Sequence, residues 1–105
     1  MAQYTVHENA SARTRKEIPF LVDVQSELLA ILATRVVVPL YRPRAVGAKA
    51  MTRLTPTVEF QGEDLVAMVP ELAGIPTREL GKPVGDLLAV RNQLLQAIDL
   101  LLTGF

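Results

Sequence analysis

Few residues in this chain are of types that could do catalytic chemistry. His7 is the only histidine and cysteine is absent, so neither a histidine-rich metal site nor a thiolate nucleophile is available. Ser11 and Ser26 are the only serines, and neither lies in the Gly-x-Ser-x-Gly turn that presents a nucleophilic hydroxyl. Residues 81–85, GKPVG, lack the spacing and the Ser or Thr of a phosphate-binding loop. The sequence therefore predicts a protein that is not an enzyme and that has no metal or cofactor.

Charged residues offer weak candidates for binding. Arg13, Arg15 and Lys16 lie in a polar segment, residues 9–17, and either contact a phosphate or acidic partner or belong to a solvated loop. Lys and Arg together number 11, as do Asp and Glu, and this balance argues against a strong electrostatic hold on nucleic acid. The isolated His7 is expected at the surface of a weak first strand.

Length and composition limit the architecture. A chain of 105 residues, half of them apolar, predicts one domain, residues 1–105, with a hydrophobic core. The first residues lack a basic segment followed by an apolar run, and no apolar stretch approaches the length of a membrane span. We expect a soluble cytoplasmic protein that has no contact with a membrane.

Short runs of β-branched and aromatic residues, separated by turn-forming residues, predict a mainly β protein. The predicted strands are residues 3–7, 18–24, 35–41, 57–60 and 65–69. The last two are joined at residues 61–64, where Gly62 indicates a hairpin turn. Residues 42–55 are expected to form a connector with a helical turn.

The closing residues predict an α-helix. From Asp86, a candidate N-cap, good helix formers run to Gly104 without an internal proline or glycine. One apolar stripe suffices to pack this helix on a sheet: Leu87, Val90, Leu94, Ala97, Ile98 and Leu101.

A second apolar stripe of the helix has two interpretations. Leu88, Leu95 and Leu102 are spaced by seven residues beside the first stripe. Either a curved sheet surrounds the helix and these leucines are core, or they form a dimer or partner surface. An apolar Phe105 at the end of the helix favours the second interpretation slightly.

Three stretches resemble the CcdB family, in the order that the family has them. Residues 22–29 read VDVQSELL, close to the family's V-D-V-Q-S-acidic-aliphatic-aliphatic pattern. Residues 35–40 read RVVVPL, which is similar to its R-x-V-aliphatic-P-L strand. Residues 91–105 resemble its closing helix, which ends in Gly and a bulky apolar residue. The resemblance covers nearly the whole chain.

The resemblance implies an SH3-like, strongly bent antiparallel sheet or barrel with a C-terminal α-helix, assembled as a homodimer. It also implies the toxin of a toxin–antitoxin system, which inserts into the DNA gyrase A-subunit dimer and traps the enzyme on cleaved DNA. A cognate CcdA-like antitoxin, which wraps and neutralises the toxin, is implied as a second partner. Operator DNA would be bound only through the antitoxin complex, in the autoregulation and plasmid maintenance typical of such modules.

The family's gyrase-facing residues match particular positions of this sequence. They are Leu28, Leu29, Asp99, Leu102, Thr103, Gly104 and Phe105. Thr103 departs from the best-known plasmid-borne member, where a Trp stacks on gyrase, and its presence here puts the potency in doubt. Without the resemblance, the leucines are better explained as ordinary core or dimer residues and Asp99 as a solvated helix position.

Two other functions remain open at this stage. MazF/Kid endoribonuclease toxins share this kind of barrel, and that activity needs a basic groove and a general base beside an arginine. The candidate arginines are Arg13, Arg15 and Arg35, with acidic neighbours. The third possibility is a homologue that binds an antitoxin but is not toxic.

Overall fold

The computed structural model describes residues 2–29, 31–47 and 53–104. Seven strands and two helices are assigned there, with short 3-10 turns between some of them. In chain order they are β1 (Thr5–Asn9), β2 (Phe20–Asp23), β3 (Thr34–Tyr41), α1 (Pro43–Val46), β4 (Thr57–Phe60), β5 (Glu63–Ala67), β6 (Ala73–Pro76), β7 (Leu80–Asp86) and α2 (Arg91–Thr103).

All strand pairs are antiparallel, and the sheet curls into a half-barrel closed at one side by α2. The strand order is β4-β5-β3-β2-β1-β7, and β6 also pairs with β3. The long β3 makes this branching possible, because residues Thr34–Val37 pair with β6 whereas Leu40 and Tyr41 pair with β5. The predicted SH3-like sheet with a C-terminal helix is confirmed.

The strand predictions hold best where β-branched residues run together. The predicted strand 35–41 is β3, and residues 18–24 contain β2. The first strand begins later than predicted, because Tyr4 has a positive φ of 69° and ends a turn. The connector after β3 contains the short helix α1 as expected, and residues 48–52 lie outside the described residues.

The hairpin is tighter than the sequence predicts. Gln61 and Gly62 both have positive φ, 54° and 79°, as a two-residue hairpin turn requires. Phe60 therefore pairs with Glu63, and β5 begins at Glu63 rather than at Leu65. The predicted strand end at Val69 is also wrong, since this residue begins a 3-10 turn.

The core lies between the concave face of the sheet and α2. Val6, Val22 and Val38 are direct partners across three strands, and all three are fully buried. The helix adds Leu94 and Ala97 to this cluster, and burying each such side chain stabilises the fold by roughly 1–3 kcal/mol. The predicted packing stripe is confirmed, because its other members also pack against the cluster: Leu87, Val90, Ile98 and Leu101.

The helix begins four residues later than predicted. Asp86 is the last residue of β7, and its Oδ1 accepts a hydrogen bond of 3.0 Å from the Leu88 amide. This carboxylate therefore caps the 3-10 turn Leu88–Val90, and α2 follows from Arg91. The prediction of Asp86 as the N-cap of the α-helix was wrong, because a 3-10 turn lies between β7 and α2.

His7 is buried, which contradicts the predicted surface position. The side chain is 2% exposed, and its Nδ1 donates to the Gly81 carbonyl at 3.1 Å. This donation fixes the tautomer, and no partner for the buried Nε2 is found in the described part of the chain. The prediction failed because β7, the strand that supplies the Gly81 carbonyl, was not visible in the sequence.

Gly81 marks a close approach between β7 and β1. A Cβ atom at this position would lie 2.2 Å from the Glu8 carbonyl oxygen. We expect Gly81→Ala to separate the two strands and to destabilise the protein by about 2–3 kcal/mol. Circular dichroism should show melting lowered by roughly 10 °C for a domain of this size.

Gly74→Ala is the matched control for this prediction. Gly74 lies in β6, and a Cβ atom there would meet nothing within 4 Å. The melting temperature of Gly74→Ala should stay within a few degrees of that of the unmodified protein. Equal melting temperatures for the two variants would show that the β1–β7 approach tolerates a methyl group.

Neither helix is long and apolar enough to cross a bilayer, as far as the described residues extend.

Candidate functional site

The loop between β2 and β3, residues 24–33, exposes large apolar side chains. Leu28 and Ile31 are 92% and 95% exposed, and Leu29 and Leu32 are close to half exposed. A 3-10 turn, Glu27–Leu29, begins the loop, and the Ser26 hydroxyl accepts a hydrogen bond from the Leu28 amide at 3.2 Å. Neighbouring apolar side chains left in solvent are typical of a binding surface. Ala30 lies outside the described residues.

A buried ion pair lies at the base of this loop. Arg35 Nε donates to Asp23 Oδ2 at 2.7 Å, and Nη2 donates to Asp23 Oδ1 at 3.1 Å. Both side chains are at most 1% exposed. The sheet brings them together, because Asp23 ends β2 and Arg35 is the second residue of its neighbour β3. Arg35 is therefore neutralised by a carboxylate inside the protein.

Gln25 links the same loop to β3. Its side-chain Oε1 accepts a hydrogen bond from the Val36 backbone amide at 2.9 Å, and its backbone amide donates to Asp23 Oδ1 at 2.9 Å. Its carbonyl accepts from Arg35 Nη2 at 3.0 Å. The D-x-Q and Arg elements of the sequence pattern thus form one buried hydrogen-bonded network.

The C-terminal tip of α2 is a second exposed region. Leu102 is 72% exposed, and Asp99, Thr103 and Gly104 are also exposed. The Thr103 hydroxyl donates a hydrogen bond to the Asp99 backbone carbonyl of the same helix at 2.6 Å. Gly104 ends the helix in the left-handed conformation, with φ 80°, and its amide donates to the Leu100 carbonyl at 2.9 Å.

Phe105, the last of the predicted site residues, lies outside the described residues. In the described part of the chain, no hydrogen bond or ion pair joins the β2–β3 loop to the tip of α2. The structure therefore exposes both predicted regions of the chain without showing them as a single contact surface.

The second predicted stripe is exposed, and its first member, Leu88, lies in the 3-10 turn before α2 rather than on the helix. Leu88 and Leu95 are almost half exposed, and Leu102 more so. The interpretation of this stripe as core was wrong, because the sheet curls around one side of α2 only. The stripe is a row of apolar side chains that this chain leaves uncovered.

The basic segment forms an exposed but organised loop. Asn9 Nδ2 donates to Thr14 Oγ1 at 2.9 Å and to the Ile18 carbonyl at 2.8 Å, closing residues 10–17 into a compact turn. Arg13, Arg15 and Lys16 are exposed on it.

A cleft of about 530 Å³ lies beside this turn. It is bordered by charges that pair with each other, since Arg42 Nε donates to Glu63 Oε2 at 2.9 Å. Arg42 Nη1 also donates to the Lys16 carbonyl at 2.6 Å. The cleft is lined by Lys16, Glu17, Arg42, Pro43, Arg44, Ala45, Glu63 and Asp64. These lining residues include no serine, cysteine or histidine.

Two tyrosines have shifted acidity, and neither is among the predicted site residues. Burial, reinforced by a hydrogen bond to the Glu71 carboxylate, raises the pKa of Tyr41 to about 12. Burial also raises the pKa of Tyr4, although the nearby positive charge of Arg91 opposes this shift. Both hydroxyls remain protonated at neutral pH, so neither is a general base.

The described residues bring together no group of three or more His, Asp or Glu side chains that could hold a metal ion. Sequence reasoning missed Ile31 and Leu32 as exposed neighbours of the predicted leucines. The run of apolar residues 28–33 without polar alternation was the signal, but the same run also fits a buried segment.

Comparison with known proteins gives a family and a fold. The family model described as CcdB protein matches residues 3–104. Among solved structures, the chain is similar to an endoribonuclease in complex with its cognate antitoxin from Mycobacterial species. That match has a TM-score of 0.74 and 14% identity, and covers 97% of this chain and 94% of the other. At this identity the structural likeness shows the fold alone.

Proposed function

Because the chain belongs to the CcdB protein family, we propose that it is the toxin of a toxin–antitoxin system that binds the DNA gyrase A subunit. Bound there, it traps gyrase on DNA that gyrase itself has cleaved, and it needs no catalytic group of its own. This division of labour is supported by Arg35, whose charge is already neutralised by Asp23 inside the protein.

The observation that carries this proposal is the exposure of the β2–β3 loop at the positions that the family uses. Leu28 is 92% exposed although it is apolar, and its neighbour Leu29 is close to half exposed. Burial against a partner would recover roughly 2 kcal/mol for Leu28 and about half of that for the partly buried Leu29. The exposed tip of α2 supplies the second part of the gyrase surface, with Asp99, Leu102, Thr103, Gly104 and Phe105.

The exposed stripe of Leu88, Leu95 and Leu102 supports a homodimer. Leu95 and Leu102 are seven residues apart on α2 and Leu88 lies in the 3-10 turn just before it, and interfaces between identical subunits are usually rich in such apolar side chains. The cognate antitoxin is the third partner, binding through a segment that folds on the toxin. The structural relative whose description includes an antitoxin supports this assignment. Operator DNA would be contacted through that complex only.

The function is tested by incubating the purified protein with DNA gyrase, supercoiled plasmid and ATP, followed by denaturation. We expect linear DNA with the unmodified protein and none when residues 104–105 are deleted. No trapped cleavage by a folded dimer would contradict gyrase poisoning and leave the fold assignment intact.

Leu28→Asp should separate binding from folding. The side chain is almost fully exposed, so its replacement should change the free energy of unfolding by no more than about 0.5 kcal/mol. Loss of a central apolar contact should weaken gyrase binding by about 2 kcal/mol, roughly 30-fold. Titration of labelled gyrase A subunit measures this change.

Leu28→Ile is the control, because it keeps the apolar area, and its affinity should stay within a few-fold. If Leu28→Asp bound gyrase as tightly as the unmodified protein, the loop would not be part of the gyrase surface.

An endoribonuclease is the second candidate function, favoured by the fold of the structural relative described above. Arg35 cannot serve it, because this side chain is 1% exposed and paired with Asp23. The activity would then depend on the exposed Arg13 and Arg15. RNA cleavage by the purified protein, lost in Arg13→Ala or Arg15→Ala, would support this function, and no cleavage together with no gyrase trapping would indicate a non-toxic homologue.

A further inference from the structure

The network beneath the β2–β3 loop is buried and cannot itself touch a partner. We propose that Asp23, Gln25 and Arg35 are positioning residues that hold this loop in one conformation before it binds the gyrase A subunit. The proposal rests on the proposed function, which supplies the loop's partner.

The network converges on one backbone atom at the centre of the loop. The Leu29 carbonyl oxygen accepts hydrogen bonds from the Leu32 amide at 3.1 Å, from Gln25 Nε2 at 3.4 Å and from Arg35 Nη1 at 3.4 Å. Two of these donors are side chains that come from beneath the loop. These two long hydrogen bonds link the carbonyl to the buried network.

The start of the loop is held by the same groups. The Gln25 backbone donates its amide to Asp23 Oδ1 and accepts from Arg35 Nη2, with distances of 2.9 and 3.0 Å. A guanidinium can serve several acceptors at once because its donors form a rigid planar fork. Arg35 uses this fork to join the Asp23 carboxylate, the Gln25 carbonyl and the Leu29 carbonyl.

This arrangement matters because the exposed side chains cannot order the loop themselves. Leu28 and Ile31 are more than nine-tenths exposed and therefore have almost no packing within the protomer. Buried ion pairs are also weak contributors to stability, since apolar pairs of similar volume often do as well. The pair of Asp23 and Arg35 is better explained by the conformation it imposes on the loop.

A loop that is ordered in advance binds more tightly, because less conformational freedom is lost on association. If two leucines lose their preset positions, their side chains must be ordered during binding. This ordering cost should lower the affinity about tenfold.

The test compares three variants with the unmodified full-length protein. In Asp23→Leu/Arg35→Met the charges are replaced together by apolar groups, and in Arg35→Lys the charge is kept but the fork is lost. Arg42→Met is the matched control, because this arginine also bonds backbone carbonyls of a loop, but of residues 10–17. Circular dichroism establishes folding, amide hydrogen exchange at Leu29 and Leu32 reports loop order, and titration of purified gyrase A subunit gives the affinity.

In both network variants we expect a folded protein, faster exchange at Leu29 and Leu32, and affinity for the gyrase A subunit lowered about tenfold. Arg42→Met should leave both amides and the affinity unchanged. The proposal would be overturned if folded Arg35→Lys exchanged the Leu29 and Leu32 amides at the same rate as the unmodified protein. It would also be overturned if these amides exchanged faster while the affinity for gyrase stayed the same. If the unmodified protein failed to bind gyrase at all, the proposed function would fall, and the exchange data would still decide whether the network orders the loop.

Discussion

A chain carrying Val37→Asp is expected not to fold. Val37 is 3% exposed in β3 and lies directly opposite Asp23 of β2 in the sheet register. A new carboxylate there would be buried without a partner and would face the carboxylate that Arg35 already neutralises. The expected loss is at least about 4 kcal/mol, comparable with the whole free energy of unfolding of many domains of this size.

Far-ultraviolet circular dichroism and thermal melting measure this outcome. Val37→Thr serves as the control for polarity without charge, and we expect it to stay folded with a loss of about 1–2 kcal/mol. Thr34→Asp introduces the same carboxylate at the exposed first residue of β3 and should change the stability little. A soluble Val37→Asp protein with an unmodified melting temperature would contradict the buried pairing of β2 and β3.

Gly104→Glu is expected to abolish gyrase trapping while leaving the protein folded. The residue has φ 80°, and a side chain there would meet nothing within 4 Å. Placing an L residue in the left-handed conformation costs about 1 kcal/mol, which the fold should tolerate. The added carboxylate, however, would lie at the proposed gyrase contact, where an unpaired buried charge can cost several kcal/mol of binding.

Two substitutions isolate the charge from the backbone effect. Gly104→Ala imposes the same left-handed strain without a charge and should retain most of the trapping activity. Gly62→Glu places the same side chain on a glycine with φ 79° and equally open surroundings, but in the β4–β5 hairpin. It should trap gyrase as well as the unmodified protein. Loss of trapping in Gly62→Glu as well would indicate a general effect of the added charge, and an unfolded Gly104→Glu protein would make the helix tip structural.

The sequence predicts the elements whose periodicity is local. The run of three valines in residues 36–38 identifies β3, and the spacing of Leu94, Ala97 and Leu101 identifies the buried side of α2. β6 and β7 were not predicted, because AGIP and LGKPVGD contain the glycines and prolines that usually interrupt a strand. Their place in the sheet comes from pairing with β3 and β1, which no local pattern encodes.

The candidate site also combines features that the local sequence predicts with features that depend on the fold. Leu28 and Leu29 were predicted through the resemblance alone, since an apolar pair in a sequence does not reveal its exposure. Arg35 was a candidate for phosphate chemistry until the sheet placed it against Asp23. The ion pair depends on the register of β2 and β3, a property of the folded chain that the separation of the two residues does not determine.

The pairing of β1 with β7 also has a consequence for how the protein is made. His7 and Gly81 are hydrogen-bonded partners separated by 74 residues in the sequence. On the ribosome, β1 therefore emerges long before the strand that covers its outer edge, and its unpaired backbone groups stay accessible throughout. Sheets built on such distant pairings fold in milliseconds to seconds, more slowly than helical bundles. A growing chain that ends before Leu80 therefore cannot complete the sheet, because β7 has not yet been made.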